Sequence, residues 1–451
     1  NDGKSPEKAW KSIAKVSETA FENGDGVFFK RGDTFRVNSR LLLKNGVTYS
    51  AYGDGAKPII TASPENVANP DKWELYDAAN NIWCLKEKVL DQGTLIFDDS
   101  EYAIKLIPSF KGGKFVNDAG EEFKPSAELK NDLEMFCETN ENLKANGVPN
   151  VTVSKGKLYL KCDRGNPGSV FKSIELMPPT NIMVAGTEDY MLTDVTIDNL
   201  SLKYTGAHGI HAQRGTNYHI QNCEFRFIGG GIQSYDVYAN NIGAAVRYGN
   251  GVEIGDCDGY YIQNCYFSDI YDTAMTFQSR DGRNDRTIKD IYFEGNLIEN
   301  CVYSVECFWG SAKTEGVDRY VENFFIRNNI MRNAGSGFGS TRPNKQEVAH
   351  IKTWNAYNKV KDKSFIIENN IFDRSSYMMF HTCVRDAENL DSVPVFRNNT
   401  FIQYISSDDN TASLGKFGKI TVAQPYNADI PTTLKMFGIS EENGNEFLFA
   451  E

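Results

Sequence analysis

No stretch of the 451 residues stays apolar over the roughly 20 positions that a helix needs to cross a bilayer, which excludes a helical membrane span. No basic run appears either. Lysine and arginine number 48 against 60 acidic residues, for a formal charge of −12. A nucleic-acid backbone calls for a concentrated positive surface, so nucleic acid is a poor partner. An anionic polysaccharide would need a local basic cleft to be held against this field. The nine cysteines are scattered (Cys84, Cys137, Cys162, Cys223, Cys257, Cys265, Cys301, Cys307, Cys383) and odd in number. They make no disulfide framework, and no CxxC pair has zinc spacing, so no metal site is read from them. Histidine is scarce, and all five (His208, His211, His219, His350, His381) fall in one part of the chain.

What is present is a phrase that returns. It reads as a short strand, a corner residue and a second strand: IDNLSL, IQNCEF, IQNCYF, FEGNLI, IRNNIM, IENNIF and FRNNTF. The corner falls on Asn199, Asn222, Asn264, Gly295, Asn328, Asn369 and Asn398, at intervals of 23, 42, 31, 33, 41 and 29 residues. A fixed phrase on a loose period indicates a solenoid whose strands are constant and whose loops vary. Asn suits the corner because it tolerates left-handed backbone, and stacked corner amides can bond to one another. Cys223 and Cys265 both follow a corner Asn and read as small interior fillers. The abundant Phe (28) and Tyr (22) suit both a stacked β core and the faces of sugar rings.

This pattern resembles the right-handed parallel β-helix of the pectate-lyase-like superfamily. The resemblance spans roughly residues 180–405 and an N-terminal coil at 1–60. The phrases RYGNGVEI, IYDTAMTFQ and YSVECFW are similar to those of secreted bacterial β-helix proteins grouped with polysaccharide-active enzymes. The resemblance implies an all-β fold, a carbohydrate substrate, and a secreted, cell-surface or periplasmic location, with Asn1 following a removed signal peptide. It does not select one activity, because such a fold hosts many. It leaves the oligomeric state open.

Four segments follow. Residues 1–60 hold an N-terminal helical cap, begun at Ser5-Pro6 with Trp10, Ile13, Ala14, Val16 and Ala20 on its apolar face, and a first coil. Residues 61–180 break the rhythm and read as an inserted antiparallel β module, with a short helix over 132–139. Residues 181–410 are the β-helix. Residues 411–451 form a C-terminal cap, with a strand in LGKFGKITV and a helix in TTLKMFGIS.

Register turns this fold into candidate chemistry. The third strand of each coil aligns as GIHA, GVEI, AMTF, SVEC, GFGS and MMFH. Ile210, Val252, Met275, Val305 and Phe338 then face inward, and His211, Glu253, Thr276, Glu306 and Gly339 face outward. Glu253 and Glu306, two coils apart, lie about 9–10 Å from one another by strand spacing. That separation suits an inverting glycosidase, whose carboxyls stand about 6.5–9.5 Å apart around a water. The candidate catalytic residues are Glu306 as acid and Glu253 as base, with the reverse assignment open, Asp272 in the turn before TAMTF, which could pair with either glutamate, and His350. The candidate substrate contacts are His211, Arg247, Tyr248, Asn250, Gln278, Trp309, Lys352 and Trp354.

The leading expectation is a glycoside hydrolase using paired carboxylates, with no cofactor. A polysaccharide lyase acting on uronates is the alternative. It would draw on His350, Lys352 and Arg247, and on calcium at DDSE (98–101) or GDCDG (255–259). A non-catalytic glycan-binding or adhesin solenoid is the third reading, and it expects the facing acids not to converge.

Overall fold

The computed structural model describes residues 1–37, 39–111, 114–138, 155–185, 191–237, 243–279, 285–310, 314–342, 348–354, 359–382, 394–404, 413–417, 420–422 and 441–450. Three long sheets of parallel strands run side by side, and successive coils add one strand to each. In the coil that ends with Glu253's neighbour, for example, Cys257–Gln263 lies in the first sheet, Tyr266–Ile270 in the second and Thr273–Ser279 in the third. The chain is a parallel β-helix.

Each corner residue bends the chain between the first and second sheets, and all seven have left-handed backbone. Their φ values are 61° at Asn199, 53° at Asn222, 54° at Asn264, 66° at Gly295, 59° at Asn328, 55° at Asn369 and 55° at Asn398. The stacked amides, however, belong to the following residue. Asn296, Asn329, Asn370 and Asn399 each donate Nδ2 to the Oδ1 of the next coil's Asn at 3.0 Å, ending at Asn445. Each also donates to a carbonyl of the preceding coil, as Asn370 does to Ile326 at 2.8 Å. Buried amides thereby satisfy one another and the backbone of the bend. Cys223 and Cys265 hold the same position in earlier coils and are buried there.

Inside, aliphatic and aromatic residues of the three sheets stack in columns. Ile220, Ile262, Phe293 and Ile326 come from the first sheet, and Phe225, Phe267, Ile298 and Met331 from the second. The Phe225 and Phe267 rings lie 4.7 Å apart and 6° from parallel. At the N-terminal end the single helix read from the sequence is divided into a 3-10 turn, Pro6–Lys8, and a short helix, Ile13–Glu18, which buries Ile13 and Val16 on the first coil.

Residues 61–180 fold outside the coils. Their main sheet has five strands, antiparallel except where Ile104–Lys105 runs parallel to Glu134–Cys137. That strand replaces the helix expected over 132–139. Leu133, Met135 and Cys137 enter one apolar cluster while Phe136 enters another, an alternation of period two that a helix would not produce. A hairpin of Gly231–Val237 and Gly243–Tyr248 rises from the solenoid and pairs with Ser109–Lys111. Near the C-terminus, Ser413–Phe417 extends the third sheet. The TTLKMFGIS helix lies outside the described residues.

Candidate active site

The third sheet presents one outward residue per coil in a single file. His211 pairs with Glu253, Glu253 with Thr276, Thr276 with Glu306, Glu306 with Lys352, and Lys352 with His381. The preceding residues Ile210, Val252, Met275, Val305, Ile351 and Phe380 all enter the interior core. Two sequence alignments need correction. Phe338–Thr341 is a 3-10 turn outside the coils, so Gly339 is not in the file and Phe338 packs on Ile96, Met177 and Tyr271 instead. Lys352 takes the place given to Gly339. In MMFH the inward residue is Phe380, one position later than aligned, which turns His381 outward.

Glu253 is tightly framed. Its Oε2 accepts a hydrogen bond from Asn250 Nδ2 at 2.7 Å and stands 3.3 Å from His208 Nδ1. Its Oε1 is 3.6 Å from His211 Nε2. Asn250 is itself fixed: its Oδ1 accepts from the Thr273 backbone at 3.0 Å, and its own N–H donates to His208 Nδ1 at 3.0 Å. The neutral His208 tautomer that fits this bond carries its proton on Nε2. The ring lies between His211, stacked at 5.2 Å, and Tyr248, edge-on at 5.1 Å. Burial pushes the Tyr248 hydroxyl up to about 12, with Asp91 and Glu253 adding to the rise.

Glu306 has a different setting. Gln278 Nε2 donates to its Oε2 at 3.2 Å, and Lys352 Nζ stands 3.7 Å from its Oε1. Lys352 also donates to Tyr303 Oη at 3.3 Å and lies 4.4 Å from the centre of that ring. Burial raises the Glu306 pKa above the ordinary carboxylate value. Lys352 opposes the rise, Asp272 adds to it, Arg342 opposes it, and Glu253 adds the smallest share. Asp272 is held by an ion pair with Arg342, whose guanidinium lies 5.6 Å from the Tyr303 ring and 6.0 Å from the Tyr271 ring. Two carboxyls of one file therefore stand in unequal surroundings.

The structure brings Glu253, Glu306, Asp272, His211, Tyr248, Asn250, Gln278 and Lys352 to this wall. Four candidates stand differently. His350 has no exposed surface: Ser304 Oγ meets its Nδ1 at 2.9 Å and the Arg374 carbonyl meets its Nε2 at 3.0 Å. Burial lowers its pKa to about 4, against the pull of that carbonyl. Arg247 is buried beside the site as a staple, with Nε on the Gly230 carbonyl at 2.7 Å and one Nη on the Gly93 carbonyl at 3.0 Å. Trp309 and Trp354 end their strands, and their side chains lie outside the described residues.

His208, Tyr303, Arg342 and His381 were not singled out from the sequence for this site. His208 had a signal, standing three residues before His211 in GAHGIH. Arg342 had none, since an insertion brings it back to Asp272 from 70 residues away. The acidic stretches considered for calcium are otherwise engaged. Asp99 accepts from Tyr204 Oη and Lys203 Nζ, Glu101 pairs with Arg164, Asp256 with Arg319 and Asp258 with Arg286. Among the described residues no group of three or more His, Cys, Asp or Glu side chains is arranged to hold a metal ion. Nor is any helix among them long and apolar enough to cross a membrane.

No protein-family model matches the chain, and no curated protein does. Among solved structures, the chain is similar to the complex of XylC with xylose, at 11% identity over 99% of this chain and 80% of that one, with a TM-score of 0.45. It is also similar to the GH136 lacto-N-biosidase from Eubacterium ramulus, at 12% identity over 100% of this chain and 66% of that one, with a TM-score of 0.33. A third similar structure, described as a glycoside hydrolase, shares 9% identity over 93% of this chain and 92% of its own, with a TM-score of 0.30. The chain spans about two thirds of the length of the lacto-N-biosidase, at 66%. Likenesses this distant bear no weight for function, and the β-helix stands on the strand pairings themselves.

Proposed function

We propose that this protein is a glycoside hydrolase acting on a polysaccharide or oligosaccharide through carboxyl groups on the outer wall of the third sheet. One observation carries the reading. Glu253 and Glu306 share a register file two coils apart, and burial pushes Glu306 toward its protonated form. A glycosidase needs one carboxyl that holds a proton and one that has given it up. In this reading Glu306 donates its proton to the glycosidic oxygen as the bond from that oxygen to the anomeric carbon breaks. Glu253 takes a proton from the water that attacks the carbon from the opposite face. The coil spacing, about 9–10 Å over two steps, leaves room for that water. A location outside the cytoplasm is part of the proposal, since polymeric glycans are met there.

A specific observation favours a second arrangement within the same class. Asp272 outweighs Glu253 in raising Glu306. In this arrangement Asp272 attacks carbon directly and a covalent intermediate forms. The anomeric configuration of the first-formed product separates the two: inversion assigns Glu253, and retention assigns Asp272.

Support for the lyase reading is thinner. His350 is enclosed with both ring nitrogens engaged, and Arg247 spends its donors on backbone carbonyls. The test is a polysaccharide panel assayed for new reducing ends and for the ultraviolet absorbance of an unsaturated product. Reducing ends without that absorbance, lost by a factor of about 10²–10⁴ in Glu306→Gln, are expected. Full activity in both Glu253→Gln and Glu306→Gln on a substrate the parent cleaves would end the proposal.

A further inference from the structure

We infer that Tyr303 is a positioning residue for this reaction, its phenol holding the Lys352 ammonium beside Glu306 instead of on it, so that the carboxyl keeps the proton it delivers; the inference rests on the hydrolase reading and deepens it. Tyr303 opens the strand Tyr303–Trp309 that carries Glu306. Its backbone N–H donates to the Asp272 carbonyl at 3.0 Å, which ties that strand to the turn bearing Asp272. Its ring packs with Val302, Ala334, Val348, Ala349 and Met378 in an apolar cluster separate from the interior core. The phenol is therefore fixed, and it reaches the lysine. Lys352 Nζ donates to Tyr303 Oη at 3.3 Å and stands 3.7 Å from Glu306 Oε1. The ring face takes a further share of the ammonium, whose nitrogen is 4.4 Å from the ring centre. Tyr303 has no exposed surface, whereas the Glu306 side chain keeps 14% of its own. Acting through Lys352, Tyr303 needs no contact with the sugar.

A lysine hydrogen-bonded to a carboxylate stabilises the ionised form and takes the proton from a general acid. At 3.7 Å the Lys352 nitrogen is too far from Glu306 for that bond, and it acts on the carboxyl as a nearby charge. The phenol can hold it there because it stays protonated. Burial pushes the Tyr303 hydroxyl up to about 12, with Lys352 and Arg342 opposing the rise. A neutral acceptor engages the ammonium without placing another negative charge beside the acid. The other charged and titratable groups about Glu306 are Asp272, Arg342 and Glu253, with His381 one coil beyond Lys352. Asp272 and Arg342 are paired with one another, and of the two cations Lys352 has the larger effect on Glu306. Where its nitrogen rests therefore sets how firmly the acid holds its proton. No bond to Tyr303 is made or broken, and Glu306 still gives its proton to the departing glycosidic oxygen.

The test compares Tyr303→Phe, which keeps the ring and removes the hydroxyl, with Lys352→Met and with the double variant, all in the full chain. Without the hydroxyl the ammonium is expected to move onto Glu306. On a glycan the parent cleaves, the basic limb of the kcat profile should then fall by about one pH unit, the worth of one hydrogen bond, with about tenfold lower kcat on that limb and KM little changed. The Glu306 carboxyl is also titrated by carbon-13 NMR without substrate, its signal identified by its loss in Glu306→Gln, and should move down by the same amount. Lys352→Met should move both readouts up, and Tyr303→Phe added to it should move neither further. A hydroxyl that only supports packing lowers the thermal midpoint and leaves both titrations in place, a result that overturns the inference. An upward shift in Tyr303→Phe overturns it too, as does an equal downward shift with Lys352 absent. If Glu253→Gln and Glu306→Gln are both fully active, the hydrolase assignment falls and this inference with it, an outcome read on different variants.

Discussion

Replacing Asn370 with alanine tests whether the amide ladder is what locks one coil onto the next. In the folded chain Asn370 Oδ1 accepts from the Asn329 backbone N–H and from Asn329 Nδ2, both at 3.0 Å. Its own Nδ2 donates to the Ile326 carbonyl at 2.8 Å and to Asn399 Oδ1 at 3.0 Å. Alanine therefore strands the Asn329 N–H, one hydrogen of the Asn329 amide and the Ile326 carbonyl, in a place where Asn329 and Asn370 are each 1% exposed. At about 1–3 kcal/mol for each of the three buried groups left unmet, the expected loss is about 3 kcal/mol or more, a large value for one substitution. The same change at Asn445 strands equivalent groups at the end of the ladder, where Asn445 is 4% exposed and water can approach, so it should cost less. Asn370→Asp adds a sign. Its carboxylate keeps the acceptor but faces the Ile326 carbonyl and Asn399 Oδ1 with no proton to offer. It should destabilise more than alanine at neutral pH and recover on acidification, as the carboxyl gains a proton. Urea unfolding followed by far-ultraviolet circular dichroism reads all three. A cost below about 1 kcal/mol for Asn370→Ala, or the same cost at 370 and 445, would refute the argument.

Two further predictions concern the acid. Lys352 opposes the burial-driven rise in the Glu306 pKa, so Lys352→Met should move the basic limb of the kcat profile to higher pH; a limb that stays put or moves down would break the assignment of Glu306 as acid. A carboxyl whose folded pKa is raised binds more protons folded than unfolded, so its contribution to stability is present at low pH and is lost as pH rises above the unfolded value and through the raised folded one. Glu306→Gln should flatten that decline, and thermal midpoints measured from acidic to mildly alkaline pH check it.

The fold was legible because its strongest rules are local. Asn and Gly adopt left-handed backbone cheaply, so seven corners could be counted from their residue type alone. Alternation fixed the outward file from His211 to Glu306, where a polar residue lies between two core residues in every coil. It failed where both frames are apolar. Met379 and Phe380 both enter the interior core, so nothing in MMFH says which one is in register with Ile351, and a slip of one residue hid His381. The ladder was displaced for a similar reason. In Asn328-Asn329, Asn369-Asn370 and Asn398-Asn399 either residue could bend or bond, and only the sign of φ tells them apart. The contacts of Arg342 with Asp272 and of Lys352 with Tyr303 depend on where insertions return to the wall, which no period encodes.

In the proposed hydrolase, the way the wall is built bears on how the acid and base are kept distinct. A solenoid repeats its backbone at a fixed step, so any two outward residues of one file have a separation set by the number of coils between them and not by loop geometry. Skipping one coil gives the spacing a water-mediated displacement needs, and the skipped position must be uncharged for the flanking carboxyls to differ. Residues beside the file then do the tuning. Lys352 and Gln278 act on Glu306 from adjacent coils of the same sheet, whereas His208 and Asn250 reach Glu253 from the turns that precede their strands. Exchanging the environments should therefore exchange the roles. Removing Lys352 should leave Glu306 a weaker acid with its proton more firmly held, while removing the Asn250 amide should leave the Glu253 carboxylate less firmly oriented without moving it from its file. Asn250→Ala is accordingly expected to lower kcat by about tenfold, the worth of one hydrogen bond to a charged group, at unchanged coil register. If Asn250→Ala left the rate intact while Glu253→Gln abolished it, the framing of Glu253 by its turn would have no catalytic meaning, and its position in the file alone would have to account for its function.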